Sequence, residues 1–139
     1  MQLQPYLFFE GRADEAIEFY RKTLGAEVQM LMRYKDSPEP QPKGAQTPPG
    51  EKVMHSSLRI GDTEIMASDG FAQGKPNFQG FALALNARDD AQARRWFEAL
   101  ADGGRVQQPL IKTFFSSSFG MVADRFGLMW MVSVPQAKK

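Results

Sequence analysis

The spacing of apolar residues predicts one amphipathic helix in each half of the chain. In the first half, apolar side chains recur every three or four positions, which is the pattern of one helical face. Its members are Ala13, Ala16, Ile17, Tyr20 and Leu24, followed by Gly25 as the C-cap. In the second half the pattern comprises Ala93, Trp96, Phe97 and Leu100, with Asp89 or Asp90 as N-cap and Gly103 and Gly104 as the stop.

Apolar and alternating runs on either side of these helices predict four strands in each half. In the first half they cover residues 3–11, 26–34, 53–60 and 63–68. In the second half they cover residues 78–87, 105–115, 116–127 and 128–134. Each half therefore has the order strand, helix, strand, strand, strand.

The segment VMHSSLRIGDTEIMAS predicts a β-hairpin, because Gly61 and Asp62 join two strands at a two-residue turn. This turn sets a register with four facing pairs: Ile60 and Thr63, Arg59 and Glu64, Ser57 and Met66, and His55 and Ser68. Alternation places one group on a shared face: His55, Ser57, Arg59, Glu64, Met66 and Ser68. The opposite face, which we expect to pack on a helix, takes Met54, Ser56, Leu58, Ile60, Ile65 and Ala67. The facing charges Arg59 and Glu64 predict a cross-strand ion pair.

Residues 34–52 contain five prolines and two glycines, a composition that excludes the interior of a sheet. Two interpretations stay open. The segment is either a surface loop or a flap over a binding cleft, since long loops in compact domains are often functional.

The two halves look like copies of one unit, with about 1–70 as the first repeat and about 78–135 as the second. Near the ends of the two halves, MAS at 66–68 matches MVS at 131–133. The fold class that follows is α+β: two βαβββ repeats form cupped mixed sheets, each with its helix on the convex face, around a shared concavity. We expect one domain over residues 1–139.

Segments of this pattern resemble the vicinal oxygen chelate superfamily, which includes glyoxalase I, bleomycin-resistance and extradiol dioxygenase proteins. The segments are EAIEFYRKTLGAEV in the first half and VADRFGLMWMVS in the second. PYLFFEG, VMHSSLRIGDTEIMASD and FGMVADRFGLMWMV are similar to segments of its PhnB-like branch, whose members are often described as 3-demethylubiquinone 3-methyltransferase-like. The resemblance implies the glyoxalase/bleomycin-resistance fold and a homodimer, and it leaves the activity open. In such a dimer the repeats either pair within one chain or are exchanged between two chains, and the sequence does not decide which.

The same resemblance implies where a metal would bind. In the metal enzymes of the superfamily, His, Glu or Gln ligands come from the first and last strands of each repeat. These positions correspond here to about Pro5, to Met66, to Gly80 or Phe81, and to Met131. Proline, glycine and phenylalanine supply no donor, and thioethers are soft ligands, so we expect neither a divalent metal site nor a cofactor.

His55, the single histidine, has three open interpretations. It is a half-buried strand residue bonded to a neighbour such as Ser68, a pocket residue that contacts a ligand, or a general base. No second catalytic group is identifiable beside it. The candidate ligand-binding residues combine polar positions of the hairpin face with apolar positions that suit an aromatic or apolar small molecule. They are His55, Ser57, Glu64, Met66, Ser68, Phe9, Phe81, Met129 and Met131.

Two other motifs predict no chemistry. The segment SSSFG at 116–120 lacks the flanking glycines of a nucleophile elbow, and no His or Asp partner can be placed beside it, so strand serines are predicted. No glycine-rich turn between a strand and a helix is followed by an acidic strand end. The sequence therefore does not support binding of S-adenosylmethionine or a methyltransferase activity.

Composition narrows the class of partner. Lys and Arg number 17 and Asp and Glu 16, so the net charge is +1 and no basic block favours nucleic acid or a membrane surface. The start of the sequence lacks the features of a secretory signal, and no apolar run is long enough to span a membrane. There are no cysteines, which fits a cytoplasmic protein.

Together these features favour a PhnB-like protein of unassigned activity that binds a small apolar or aromatic molecule in a metal-free cavity. The alternatives are a metal-dependent lyase, isomerase or dioxygenase-type enzyme, or a resistance protein that sequesters an antibiotic.

Overall fold

The computed structural model describes residues 1–37, 49–70, 72 and 74–135. The chain divides into two compact units, Met1–Pro76 and Asn77–Lys139. Each unit has the predicted order strand, helix, strand, strand, strand, and each contains one mixed four-stranded sheet. The α+β class and the duplicated βαβββ pattern are therefore confirmed. Within the described residues, neither helix is long and apolar enough to cross a membrane.

In the first unit, helix α1 covers one face of a sheet whose strand order is β1-β4-β3-β2. Its elements are β1 (Tyr6–Phe8), α1 (Ala13–Leu24), β2 (Glu27–Arg33), β3 (Val53–Ile60) and β4 (Thr63–Ser68). β1 pairs with β4 in parallel, and the other neighbours are antiparallel. A 3-10 turn at Tyr34–Asp36 follows β2.

The second unit repeats this arrangement with the strand order β5-β8-β7-β6. Its elements are β5 (Leu83–Asn86), α2 (Asp90–Ala101), β6 (Arg105–Ile111), β7 (Ser116–Ala123) and β8 (Met129–Pro135). β5 pairs with β8 in parallel. The strands predicted at 3–11 and 78–87 are shorter than expected, because only three and four of their residues pair with a neighbouring strand.

The core of each unit lies between its helix and its sheet. In the first unit, Phe9 and Tyr20 are both fully buried with their ring centroids 6.1 Å apart, and Leu58 lies below them in the sheet with no exposed surface. In the second unit, α2 lies so close to β7 that a Cβ on Gly120 would be 2.7 Å from the ring of Phe97. The amphipathic pattern of each helix thus produces the expected packing.

The predicted turn and caps are confirmed. Gly61 and Asp62 join β3 to β4, and the register pairs Ile60 with Thr63, Arg59 with Glu64 and Ser57 with Met66. The fourth predicted pair, His55 with Ser68, is not part of this register. Gly25 ends α1 in the left-handed conformation, at a φ of 70°. Asp89 is the N-cap of α2, and its carboxylate accepts a hydrogen bond from the Gln92 amide.

A β-bulge recurs at the same place in both units. In β2, Val28 pairs with Leu58 while Met30 pairs with Ser57, so one extra residue lies between them. In β6 the same shift lies between Val106 and Gln108. A bulge increases the local twist of an edge strand and exposes part of it. Its recurrence supports the duplication that the sequence predicts.

Only the ends of the proline-rich segment are described. The Tyr34 amide donates to the Lys52 carbonyl and the Lys35 amide to the Gly50 carbonyl, each at 3.0 Å, so the two ends lie side by side. Residues 38–48 lie outside the described part of the chain, and the choice between a surface loop and a flap stays a prediction.

One buried carboxylate joins three segments of the first unit. Asp69 follows β4 directly and has no exposed surface. Its Oδ1 accepts hydrogen bonds from the Gly11 and Ala13 amides at 3.0 and 2.8 Å, and its Oδ2 accepts one from the Val53 amide at 2.6 Å. Arg12 is the N-cap of α1, but its side chain accepts no hydrogen bond from the amides of the first turn. Asp69, which is distant in sequence, supplies the acceptor that these amides require.

We predict that Asp69→Ala lowers the free energy of unfolding by about 3 kcal/mol or more, since it leaves two buried N–H donors and one part-buried N–H donor without an acceptor. Asp69→Asn should also destabilise, because its amide NH2 would face a backbone N–H. Asp62→Asn, in the exposed turn, is the matched control and should change stability by less than about 0.5 kcal/mol. Urea unfolding measures all three; an Asp69→Asn protein as stable as the control would contradict the prediction.

Candidate functional site

The face of the first sheet that points away from α1 is only partly covered. The register places side chains from all four strands on it. They are Tyr6, Phe8, Met32, His55, Ser57, Arg59, Glu64, Met66 and Ser68. The predicted grouping of the hairpin residues is therefore correct, and β1 and β2 add aromatic and thioether side chains to them.

A hollow of about 490 Å³ lies at one end of this face, within the size range of small-molecule sites. Rings, a thioether and a few polar groups line it. The lining residues are Tyr6, Phe8, Glu10, Tyr34, Met54, Ser68 and Gly70. The Tyr6 and Phe8 rings stack, with centroids 4.9 Å apart and planes at 20°, and form a continuous aromatic wall.

The two tyrosine hydroxyls of the hollow each have a hydrogen-bond partner. The Tyr6 hydroxyl lies 3.0 Å from His55 Nδ1, and the Tyr34 hydroxyl donates to the Gly70 carbonyl at 2.8 Å. Burial raises the pKa of both phenols, although the Ser68 hydroxyl offsets part of the rise. Repulsion by the charge of Tyr34 adds to the rise at Tyr6. Both phenols are neutral at pH 7, since the ordinary pKa of tyrosine is already about 10.

His55 is bonded to a tyrosine rather than to Ser68. Its ring lies 5.6 Å from that of Tyr6, with the planes at 44°. The Ser68 hydroxyl instead bonds Val53 and Gly70 of the backbone, at 3.3 and 3.0 Å. The difference follows from the parallel pairing of β1, which places a phenol beside the imidazole and which the hairpin sequence alone does not reveal.

The predicted ion pair of Arg59 with Glu64 is wrong, although the two residues do face each other. Arg59 also faces Glu27 on β2 and bridges to it, with 3.0 Å between Nη2 and Oε2. Glu64 accepts a short hydrogen bond from the Ser57 hydroxyl. A residue of a central strand has two neighbours, and the hairpin revealed only one of them.

Met54 lines the hollow and does not lie on the helix-facing side where alternation placed it. The cause is a register shift: Val53 pairs with Arg33 and His55 with Met32, so β3 has one extra residue at Met54. Such a bulge breaks the alternation of side chains. Val53 is consequently fully buried.

The remaining predicted site residues fall in different places. Phe9 is fully buried against Tyr20, so it belongs to the core, and its neighbour Phe8, which is 50% exposed, is the ring on the open face. Four predicted residues share that face but are not among the described residues that line the hollow: His55, Ser57, Glu64 and Met66. Three others belong to the second unit: Phe81 precedes β5, and Met129 and Met131 lie on the half-exposed face of β8.

The serine cluster has an acidic partner that the sequence analysis did not find. Ser117 and Ser118 lie at the start of β7, as predicted, and their hydroxyls donate to Asp90 Oδ1 at 2.6 and 2.7 Å. These two bonds lower the pKa of the Asp90 carboxyl. A nucleophilic serine also needs a base that takes its proton, whereas an ionised carboxylate that accepts from two hydroxyls links the start of β7 to the start of α2.

The residues at the metal positions of the superfamily do not fit a divalent ion. The first-strand residues that pair with Met66 and Met131 are Tyr6 and Ala84, rather than the expected Pro5 and Gly80 or Phe81. The side chains are thus a phenol, a methyl group and two thioethers, which are poor ligands for hard or borderline cations. Among the described residues, no three His, Asp or Glu side chains are grouped closely enough to hold a metal.

Comparison with known protein families shows to which family the chain belongs. The family described as 3-demethylubiquinone-9 3-methyltransferase matches residues 1–133. The chain belongs to this family. It is the PhnB-like branch of the vicinal oxygen chelate superfamily, as the resemblance implied.

Relatives of the PhnB-like chain match over nearly its whole length. Protein YjdN of Escherichia coli is 38% identical over 96% of this chain and 95% of its own. The crystal structure of protein PA1353 from Pseudomonas aeruginosa is 40% identical, with a TM-score of 0.83 and 99% of both chains covered.

More distant structures share the fold alone. A Bacillus cereus PhnB protein, named as a possible 3-demethylubiquinone-9 3-methyltransferase, is 23% identical with a TM-score of 0.78, over 96% of this chain and 99% of its own. The fosfomycin resistance protein FosX from Mesorhizobium loti is 12% identical with a TM-score of 0.62, over 98% and 92%.

The family's name describes a methyl transfer, which would require a binding site for a nucleotide-type cofactor. The two connections from a strand to a helix in this PhnB-like chain do not form such a site. The connection from β1 to α1 contains a single glycine, Gly11, whose amide donates to Asp69. The connection from β5 to α2 contains none, and Asp89 caps the helix there. Neither connection has the glycine-rich turn that holds a nucleotide-type cofactor.

Six residues of the hollow escaped the sequence analysis: Tyr6, Phe8, Glu10, Tyr34, Met54 and Gly70. A detectable signal existed for two of them. In YLFF, alternation puts Tyr6 and Phe8 on the same face, but only the pairing with β4 shows which face is open. Glu10 and Tyr34 lie outside regular strands, and Met54 is displaced by the bulge, so no periodic pattern marks them.

We predict that the free energy of unfolding falls more steeply above pH 10 in the wild type than in a Tyr6→Phe, Tyr34→Phe double variant. A phenol whose pKa is raised by folding stabilises fully below its ordinary pKa of about 10. That contribution is lost as the pH rises from this value through the folded-state pKa, because the unfolded chain ionises first.

Urea unfolding between pH 8 and 11, with phenolate absorbance followed in parallel, measures this difference. The double variant also loses the hydrogen bond to Gly70, so the slopes with pH are compared rather than the absolute stabilities. Equal slopes would show that neither phenol is perturbed.

Proposed function

We propose that this PhnB-like protein binds a small apolar or aromatic molecule in the hollow of the first unit, without a metal ion. The observation that carries the proposal is the aromatic wall: Phe8 is half exposed although it stacks on Tyr6, so a large apolar surface lies open beside a few polar groups. Partly exposed apolar concavities with convergent hydrogen-bonding groups are the usual form of ligand sites.

The lining also indicates how a ligand would be oriented. A flat ring can stack on the wall, while the Met54 thioether adapts its shape to the edge of the ligand. The Tyr6 hydroxyl and His55 offer hydrogen bonds at one side of the wall. We assign no reaction to this arrangement.

We expect aromatic compounds to raise the melting temperature of the wild type, because a ligand that binds the folded state alone stabilises it. Phe8→Ala removes half of the wall and should weaken binding about tenfold. The matched control is Phe114→Ala, since Phe114 is 91% exposed and belongs to the other unit. Thermal shift with a set of small aromatic compounds, followed by titration calorimetry, measures both variants.

A set without any stabilising compound, or equal losses in the two variants, would contradict the proposed site. The alternative of a metal-dependent lyase, isomerase or dioxygenase-type enzyme requires stoichiometric Zn, Ni, Mn or Fe. Metal analysis of protein purified without a histidine tag distinguishes the alternatives. A resistance protein that sequesters an antibiotic would use the same hollow, and antibiotics with aromatic groups belong in the set.

We also infer that the protein is a cytoplasmic homodimer. The lack of cysteine fits a reducing compartment. β2 and β6 are each one of the two outer strands of their sheets, and both expose apolar residues, Val28 and Met30 on β2 and Val106 on β6. Exposed apolar edge strands favour pairing with another chain.

Sedimentation velocity at micromolar concentration should therefore show a dimer. Val28→Lys should shift the equilibrium towards the monomer, because a charge on an edge strand opposes pairing. Thr63→Lys, beside the exposed turn of the hairpin, is the control and should leave the dimer intact. A wild-type monomer would contradict the inference.

A further inference from the structure

The hollow of the first unit combines aromatic rings with a negative charge. Of its described lining residues, three carry rings, and the single residue with a formal charge is Glu10. No lysine or arginine is among them. The chemistry of this lining distinguishes between the classes of aromatic ligand that size and shape alone would admit.

The backbone holds Glu10 in a conformation that side chains rarely adopt. Its φ is 50°, in the left-handed region, which carries a free-energy cost for a residue other than glycine. The neighbouring contacts maintain it: its carbonyl accepts a hydrogen bond from the Gly74 amide, and the next residue, Gly11, donates to Asp69. Strain of this kind concentrates at functional sites.

Gly70 makes room for the carboxylate at the aromatic wall. A Cβ on Gly70 would lie 2.5 Å from Glu10 Oε2 and 3.3 Å from Phe8 Cδ1. The carboxylate and the ring therefore approach the same point of the hollow from two sides. The φ of Gly70, +57°, also favours glycine at this position.

The rings have the electrostatics of neutral aromatics. Tyr6 and Tyr34 keep their protons at pH 7, because the ordinary pKa of a phenol is about 10 and burial raises it further for both. The face of a neutral ring is electronegative and attracts a cation within about 6 Å of its centre. A carboxylate beside such rings adds a direct Coulomb attraction, which is strengthened where water is partly excluded.

We propose that the ligand of this hollow is an organic cation: an alkyl- or arylammonium whose charge lies between the Glu10 carboxylate and the Tyr6 and Phe8 rings. This proposal rests on the proposed function, since it specifies the ligand of the same hollow. An anionic ligand is disfavoured by Glu10, and a neutral one gains only the stacking.

Benzylammonium, benzyl alcohol and benzoate test the proposal, because they share one ring and differ in charge. At pH 7 in low salt, titration calorimetry should give benzylammonium about tenfold tighter binding than benzyl alcohol, with benzoate weaker than both. Glu10→Gln should reduce the preference for the cation to about threefold or less. Glu98→Gln, on α2 in the other unit, is the matched control and should leave the preference unchanged.

The outcomes separate the two proposals. Benzyl alcohol that binds as tightly as benzylammonium in the wild type overturns the cation proposal and leaves the aromatic site standing. This comparison needs no variant, so it holds even if Glu10→Gln does not fold. A preference that Glu10→Gln leaves intact in a folded protein also overturns it. Failure of all three compounds, together with the wider aromatic set, overturns both proposals.

Discussion

The first unit depends on the hydrogen bonds that the Asp69 carboxylate accepts from three segments distant in sequence. It receives the Gly11 and Ala13 amides at the start of α1 and the Val53 amide at the start of β3. A buried carboxylate is tolerable only when such donors surround it. The same contacts fix the two neighbours that shape the hollow, because Gly70 follows Asp69 and Glu10 precedes Gly11. The fold and the candidate site therefore share one structural origin.

The sequence predicted those features that local patterns determine. The hairpin register followed from Gly61 and Asp62, and the helix caps from Gly25 and Asp89, all of which the structure confirms. The features that were missed depend on partners far along the chain. Phe9 was expected in the pocket and is in the core. The pairing of the three-residue strand β1 with β4 determines which of its side chains face the core, and the sequence alone does not show this pairing. The bulge at Met54 likewise depends on β2.

Family membership fixes the fold more firmly than the chemistry. On the first and last strands, where the resemblance implied metal ligands, Tyr6 pairs with Met66 and Ala84 with Met131, so the Cα pairing is the same in both units. The scaffold thus retains the geometry that brings first and last strands together, while the side chains on it are aromatic or soft. Function is a property of the site that a fold carries. The nearby hollow is lined by aromatic rings and one carboxylate, a set of side chains that differs from the ligands of a metal centre.

Comparison of the two units explains why the hollow belongs to the first. The amides of Phe9 and Ala87 bond the equivalent carbonyls of Ser68 and Ser133, so Asp69 corresponds to Val134. Valine cannot accept the amides of the helix start, and α2 is capped instead by its own Asp89. Ala84 and Asn86 occupy the places of Tyr6 and Phe8 and supply no ring. Arg88 stands where the first unit has Glu10, which reverses the charge. Duplicated units therefore diverged in the helix cap, the wall and the charge together, as expected if one cap positions all three.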